Sequence, residues 1–133
     1  MTLVLTLSSP IEAQESESSD SGLVALVDQV KVAADRRDHD SLHELMSEDF
    51  LYSFGGSRSR DEATAWFKRR PELLNKLVEV LSGNCAITEY STVVHHLCPA
   101  EAAEPKSAYY DYRAGFRLTN HNNWQFVWFV AGD

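Results

Sequence analysis

Two cysteines and two adjacent histidines lie in one short stretch, CAITEYSTVVHHLC, as Cys85, His95, His96 and Cys98. These residue types support three chemistries. Thiolates and imidazoles bind borderline and soft metals, two thiols oxidise to a disulfide, and a histidine trades a proton near neutral pH. Spacing decides among them. The stretch is rich in Ile, Val, Thr and Tyr and has no internal Gly, Pro or Asn, so it reads as one strand. Successive strand side chains point to opposite faces. His95 and His96 then cannot share an ion. His96 and Cys98 share a face, about 6.6 Å apart at ~3.3 Å per residue, while Cys85 falls on the face of His95. No metal is expected here, and no cofactor elsewhere.

The same strand sets Cys85 and Cys98 about 43 Å apart, thirteen steps of ~3.3 Å, whereas a disulfide needs Cα atoms within about 7 Å. Strand and bridge exclude each other. A hairpin at EYST would restore the bridge, but those residues lack the usual Gly or Asn of a tight turn. The single strand is the reading adopted, with the bridge as its alternative. His39 and His43 have the i,i+4 spacing of a helical metal pair. Asp40 and Ser41 look like helix caps, however, which puts His39 ahead of the helix and leaves an exposed polar pair.

A histidine of this strand, His95 or His96, beside Asp111 on the next one would make an acid–base pair, the carboxylate fixing the imidazole tautomer. The plainer alternative for Asp111 is an ion pair with Arg113 across the sheet surface. A ligand pocket needs apolar walls and a few convergent polar groups. The candidates for it are Tyr52, Trp66, Tyr110, Tyr112, Arg113 and Trp128.

The elements that position these residues follow from periodicity. Leu23, Leu26, Val27, Val30 and Ala34 give one helix, capped by Asp20 or Ser21. Leu42, Leu45 and Met46 give a second, after Asp40 or Ser41. FLYSF alternates as a short strand, and Gly55-Gly56 is a turn. SRDE, Ser59 to Glu62, is a capping box opening a helix whose inner face is Ala63, Trp66 and Phe67. Pro71 ends that run and starts another, with Leu73, Leu74, Leu77, Val78 and Leu81 inside. The period then changes to two. The Cys85–Cys98 strand is followed by SAYYDYRAGFRLT, with Tyr110, Tyr112, Ala114, Phe116 and Leu118 on one face and Tyr109, Asp111, Arg113, Gly115 and Arg117 on the other. NHNN turns into the last strand, where Trp124, Phe126, Trp128 and Val130 share a face and Val127 and Phe129 take the other. Aromatics on both faces of this strand point to a homodimer through the sheet.

The 133 residues suit one domain. The net charge is −8, and four of the twenty acids (Glu12, Glu15, Glu17, Asp20) crowd into the first twenty residues. The remainder carries 16 acids against 12 bases, which argues against a nucleic-acid partner. Arg58, Arg60 and Lys68-Arg69-Arg70 read as a solvated face in preference to an anion site. No apolar run reaches the ~20 residues of a membrane span. Residues 1–20 are expected to be a disordered tail. Their apolar run, small residues and acidic stretch resemble the remnant of an export signal. That makes the chain secreted or periplasmic if the true start lies upstream, and cytoplasmic otherwise. Residues 21–133 form the domain.

Helices first, a short strand, a helix opening with SRDEA and three long antiparallel strands, carried by LHELMSEDFLYSF at the entry to the first strand, SRDEATAWF and the closing YRAGFRL and WQFVWFVAGD: this order resembles the nuclear-transport-factor-2-like superfamily, which includes SnoaL-type polyketide cyclases and ketosteroid isomerases. The resemblance implies an α+β fold, a cone-shaped curved antiparallel sheet packed on three to four N-terminal helices, with a pocket between sheet and helices. It implies no particular chemistry. Enzymatic members place an Asp or a His–Asp pair on the sheet, often with a Tyr on an early helix, and the first two helices here have no tyrosine. The leading expectation is a small-ligand pocket domain for an apolar or aromatic molecule, leaning away from enzyme. The rivals are a lyase or isomerase using His95 or His96 with Asp111, and an interaction module whose pocket is plugged by aromatic side chains.

Overall fold

The computed structural model of the chain describes residues 10–53, 58–103, 109 and 111–131, with backbone alone for 10–20 and 90. The Gly55-Gly56 turn, Phe54, Tyr110 and Asp133 lie outside the described residues. Helix α1 spans Pro10–Asp35. It begins ten residues ahead of the expected Asp20 or Ser21 cap. Proline suits a first helical position, and Glu, Ala and Gln carry helix well. Among described side chains, α1 meets the core from Leu23 onward, through Val30, Ala33 and Ala34.

Helix α2 is His39–Leu45, and its cap is Asp38 in place of the expected Asp40 or Ser41. The Asp38 carboxylate accepts from the Ser41 amide at 3.1 Å and from its hydroxyl at 2.7 Å. Two bonds from one side chain outcompete either alternative. His39 therefore opens the helix. One turn on, His43 Nε2 lies 2.5 Å from Asp61 Oδ1, which ties α2 to α3.

Strand β1 is Met46–Leu51 and helix α3 is Arg60–Arg69. Ser59 caps α3, accepting from the Glu62 amide at 3.3 Å. The return half of the capping box is replaced. The Ser59 amide donates to Phe50 O at 3.0 Å, and the Glu62 carboxylate accepts from the Tyr52 hydroxyl at 3.4 Å. The first bond anchors the start of α3 to β1, and the second anchors it to the residue that follows β1. Pro71 separates α3 from α4, Glu72–Leu81, whose Leu73, Leu74, Leu77, Val80 and Leu81 are buried.

The expected strand from Cys85 to Cys98 is two strands, β2 (Ala86–Tyr90) and β3 (Val93–Cys98), paired antiparallel from Tyr90↔Val93 to Ala86↔Leu97. Ser91 and Thr92 make the turn with φ of 50° and 67°. Positive φ at both central positions is the requirement of the tight hairpin turn that Asn-Gly normally fills. Neither residue advertises it, which is why the hairpin escapes a reading by turn chemistry. The hairpin brings Cys85 and Cys98 together as a disulfide with Cα atoms 4.4 Å apart. The bridge that a straight strand forbids is thus formed.

A 3₁₀ turn, Ala100–Ala103, leads toward β4 (Arg113–Leu118) and β5 (Trp124–Val130). The sheet order is β1-β5-β4-β3-β2. The expected antiparallel sheet is mixed, because β1 runs parallel to β5 at the edge. The β4–β5 turn has Asn122 at φ 65° and is closed by Thr119, whose amide donates to Asn123 O at 2.7 Å. A bulge interrupts the pairing: Gly115 faces Trp128 but Phe116 faces Phe126. The extra residue, Val127, shifts the alternation. Phe126 and Phe129 both enter the core with Phe50, Phe67, Ala114 and Phe116. Trp128 and Val130, expected beside Phe126, turn to the other face.

Candidate ligand site

Two faces of the sheet compete for the role of binding site. On the helix-covered face, where the pocket was expected, aromatic side chains fill the space. Trp66 lies 5.1 Å from Tyr52, 6.5 Å from Tyr112 and 6.4 Å from Phe129, ring centre to ring centre. Tyr112 stacks on Phe129 at 4.8 Å, and Phe129 on Phe67 at 6.0 Å. Tyr52, Trp66 and Tyr112 thus come together as a packed cluster between α3 and the sheet.

The other face carries a cleft of about 400 Å³, within the size of a small-molecule site. Leu51, Leu97, Val127 and Val130 give it apolar walls, and Trp128 an aromatic one. Arg58, Arg113, Arg117, His95 and Asp49 supply its charged and polar groups. Alternation puts His95 and Leu97 on this side of β3, and Arg113 and Arg117 on this side of β4. Gly115, between the two arginines, lets the Trp128 ring lie on the strand: a Cβ there would sit 2.3 Å from Trp128 Cε2. No side chain fits while the ring holds that position.

The polar groups are oriented by local bonds. Arg117 donates to Gln125 Oε1 at 2.9 Å and lies 3.9 Å from Asp49 Oδ1. Arg113 donates to Tyr109 O at 3.0 Å. His95 Nδ1 is 3.2 Å from Val93 O. Burial, with help from the Arg117 charge, holds the His95 pKa below its ordinary value, against the pull of the Val93 carbonyl. Both effects favour the neutral imidazole, and the arginines carry the permanent positive charge of the cleft.

Of the residues singled out by sequence, His95, Arg113 and Trp128 line this cleft. Tyr52, Trp66 and Tyr112 belong to the opposite face. His96 also faces the core side, 5.9 Å from the Phe116 ring, and burial lowers its pKa. Asp111 meets neither histidine: Lys76 Nζ on α4 donates to its Oδ2 at 3.1 Å, and the Tyr112 amide to its Oδ1 at 2.7 Å. Its ion-pair partner is therefore Lys76 on α4, and Arg113 donates to Tyr109 O. Arg58, Arg117, Asp49, Leu51 and Leu97 were not singled out as site residues. The face shared by Arg113, Gly115 and Arg117 was the available signal for Arg117.

The Asp111–Lys76 contact makes a testable pH statement. The Tyr112 amide first, and then Lys76, lower the Asp111 pKa from 3.8. A depressed carboxylate stabilises the fold above its unfolded pKa, and that contribution is lost as pH falls through the folded value. Its side chain is half-exposed, so solvent screening limits the effect. Asp111→Asn is expected to cost a few tenths of a kcal/mol, under about 1, at pH 7 and less as the pH is lowered below 3.8, measured as urea midpoints across that range. A cost at pH 7 that does not shrink as the pH falls would mean that the lost stability does not come from the Asp111 charge.

Comparison with known protein families gives no match, and comparison with curated protein sequences gives none. Solved structures do match. An NTF2-like protein with a cystatin-like fold from Novosphingobium aromaticivorans aligns over 94% of this chain and 88% of its own, at 17% identity and a TM-score of 0.52. A protein of unknown function with a cystatin-like fold from Nostoc punctiforme aligns over 84% and 88%, at 12% identity and a TM-score of 0.51. Among the described residues no helix is long and apolar enough to cross a membrane. The element order, the strand order and these likenesses together identify the fold of this chain as α+β, nuclear-transport-factor-2-like and cystatin-like.

Proposed function

We propose that this domain binds a small organic anion with an apolar or aromatic body, in the cleft on the face of its sheet opposite helix α3. The observation that carries this reading is the convergence of Arg58, Arg113 and Arg117 on an apolar-walled cleft whose lining includes one carboxylate, Asp49. Guanidinium groups favour carboxylates through paired N–H donors. Trp128 gives a flat surface for a ring, and the small exposed edges of Leu51, Leu97, Val127 and Val130 form the floor beneath it. His95, whose burial favours the neutral ring, adds a polar edge.

The acid–base alternative asked for a histidine in contact with Asp111, and Asp111 is held by Lys76 instead. The dimer alternative asked for exposed apolar surface on this face. Leu51, Leu97, Val127 and Val130 are at most 9% exposed, so they offer little to a second copy. The plugged helix-side space suits an interaction module, but it does not account for three arginines above an apolar floor.

The test uses benzoate and 2-naphthoate, each against its neutral amide, in isothermal titration. The carboxylates are expected to bind and the amides to bind at least about tenfold more weakly, since a hydrogen bond to a charged group contributes ~1.5–3 kcal/mol. Arg117→Ala should weaken carboxylate binding by a similar factor, and rising salt should weaken it further. Equal binding of acid and amide, or indifference to Arg117→Ala, would remove the proposal.

A further inference from the structure

The β2–β3 hairpin does more than form a bridge. Because Ile87 pairs with His96 and Ala86 with Leu97, Cys85, Ile87, His96 and Cys98 lie on one face. The two sulfurs and a ring nitrogen of His96 are all within 4.8 Å of one another. His96 Nδ1 is buried and has no hydrogen-bond partner among the described residues. A buried imidazole nitrogen without a partner is uncommon. Cys98 is fully buried, Cys85 and His96 are partly open, and Ile87 beside them is 59% exposed. One side of the cluster therefore reaches solvent.

We infer that Cys85, Cys98 and His96 form a zinc site when the disulfide is reduced. Two thiolates and a neutral imidazole are a known zinc donor set, with the fourth position left to water. Two thiolates also neutralise the ion's charge, which suits a partly buried place. Ligands of one tetrahedral zinc at ~2.0–2.3 Å stand farther apart than bonded sulfurs and within the present spread, so relaxation of the S–S bond opens the site. The chemistry balances. A phosphine reductant and one water convert the disulfide to two thiols, and the phosphine leaves as its oxide. Zinc then binds as the two thiols release their protons.

His95 supplies the control. It sits one residue away but on the opposite face, in the arginine cleft. A site in the folded hairpin uses His96 alone, whereas an unfolded chain with free thiols would recruit either histidine. The full chain is reduced with a phosphine, freed of reductant without air, and titrated with Co²⁺ as a spectroscopic probe and with Zn²⁺ in competition with a chromophoric chelator. Expected are one tight equivalent in the reduced protein, thiolate-to-cobalt charge transfer with tetrahedral d–d bands, and no tight site in the oxidised protein. His96→Ala should weaken Zn²⁺ binding by more than the ~10–100-fold that losing an outer partner costs, and His95→Ala should leave it within about threefold. Equal loss in the two variants, or equal binding by oxidised and reduced protein, overturns the inference. So does failure of the reduced protein to bind.

Discussion

Phe129→Ala is expected to destabilise the domain by about 3–5 kcal/mol, as for a buried phenylalanine whose site cannot collapse. Phe129 is fully buried and lies against Tyr112, Phe67 and Trp66. It joins the cluster of α3 to the sheet, so truncation leaves ring-sized space on both sides. Trp128→Ala should cost less than half as much, because Trp128 borders the open cleft. The comparison matters more than either value. Strict alternation along β5 puts Trp128 inside with Phe126 and sends Phe129 outward. The bulge at Val127 reverses that. Urea denaturation of both variants decides between them: a costlier Trp128→Ala would mean that the bulge is not there.

The helices were legible because their signals are local and dense. The apolar spacing of Leu23 to Ala34 and of Leu73 to Leu81, the Ser59 cap and the Pro71 break are all present in the fold. The β4–β5 hairpin was legible for the same reason. Three features were hidden. The β2–β3 turn uses Ser91 and Thr92 in a conformation that costs non-glycine residues roughly 1–2 kcal/mol each, so composition speaks against it. Its support comes from strand pairing and from the disulfide at the open end, both non-local. The bulge depends on Gly115 and Trp128 across two strands, and one extra residue changes the face of all that follows. The parallel β1–β5 pair joins residues some eighty positions apart. The site suffered accordingly. Its arginines were visible as a face, but which aromatic residues shared that face turned on the bulge.

Replacing both cysteines, as Cys85→Ser with Cys98→Ser, is expected to lower stability by about 3 kcal/mol, the loop-closure contribution for a loop of this size. The sequence separation is 13. For a domain of this length, that corresponds to a melting temperature lower by on the order of 10 °C. The disulfide's role is sharpened by the turn it faces. Ser91 and Thr92 oppose tight closure, so the bridge holds shut an end-to-end pairing that the turn alone disfavours. It follows that improving the turn should offset part of the loss. Ser91→Asn with Thr92→Gly, the favoured pair for positive φ at both positions, should restore about 1–2 kcal/mol to the cysteine-free protein. Thermal melts of the two cysteine-free proteins, with and without the turn substitutions, measure this directly. A loss below about 1 kcal/mol would mean that the β2–β3 ladder closes the hairpin unaided. No rescue would place the strain elsewhere than at residues 91 and 92.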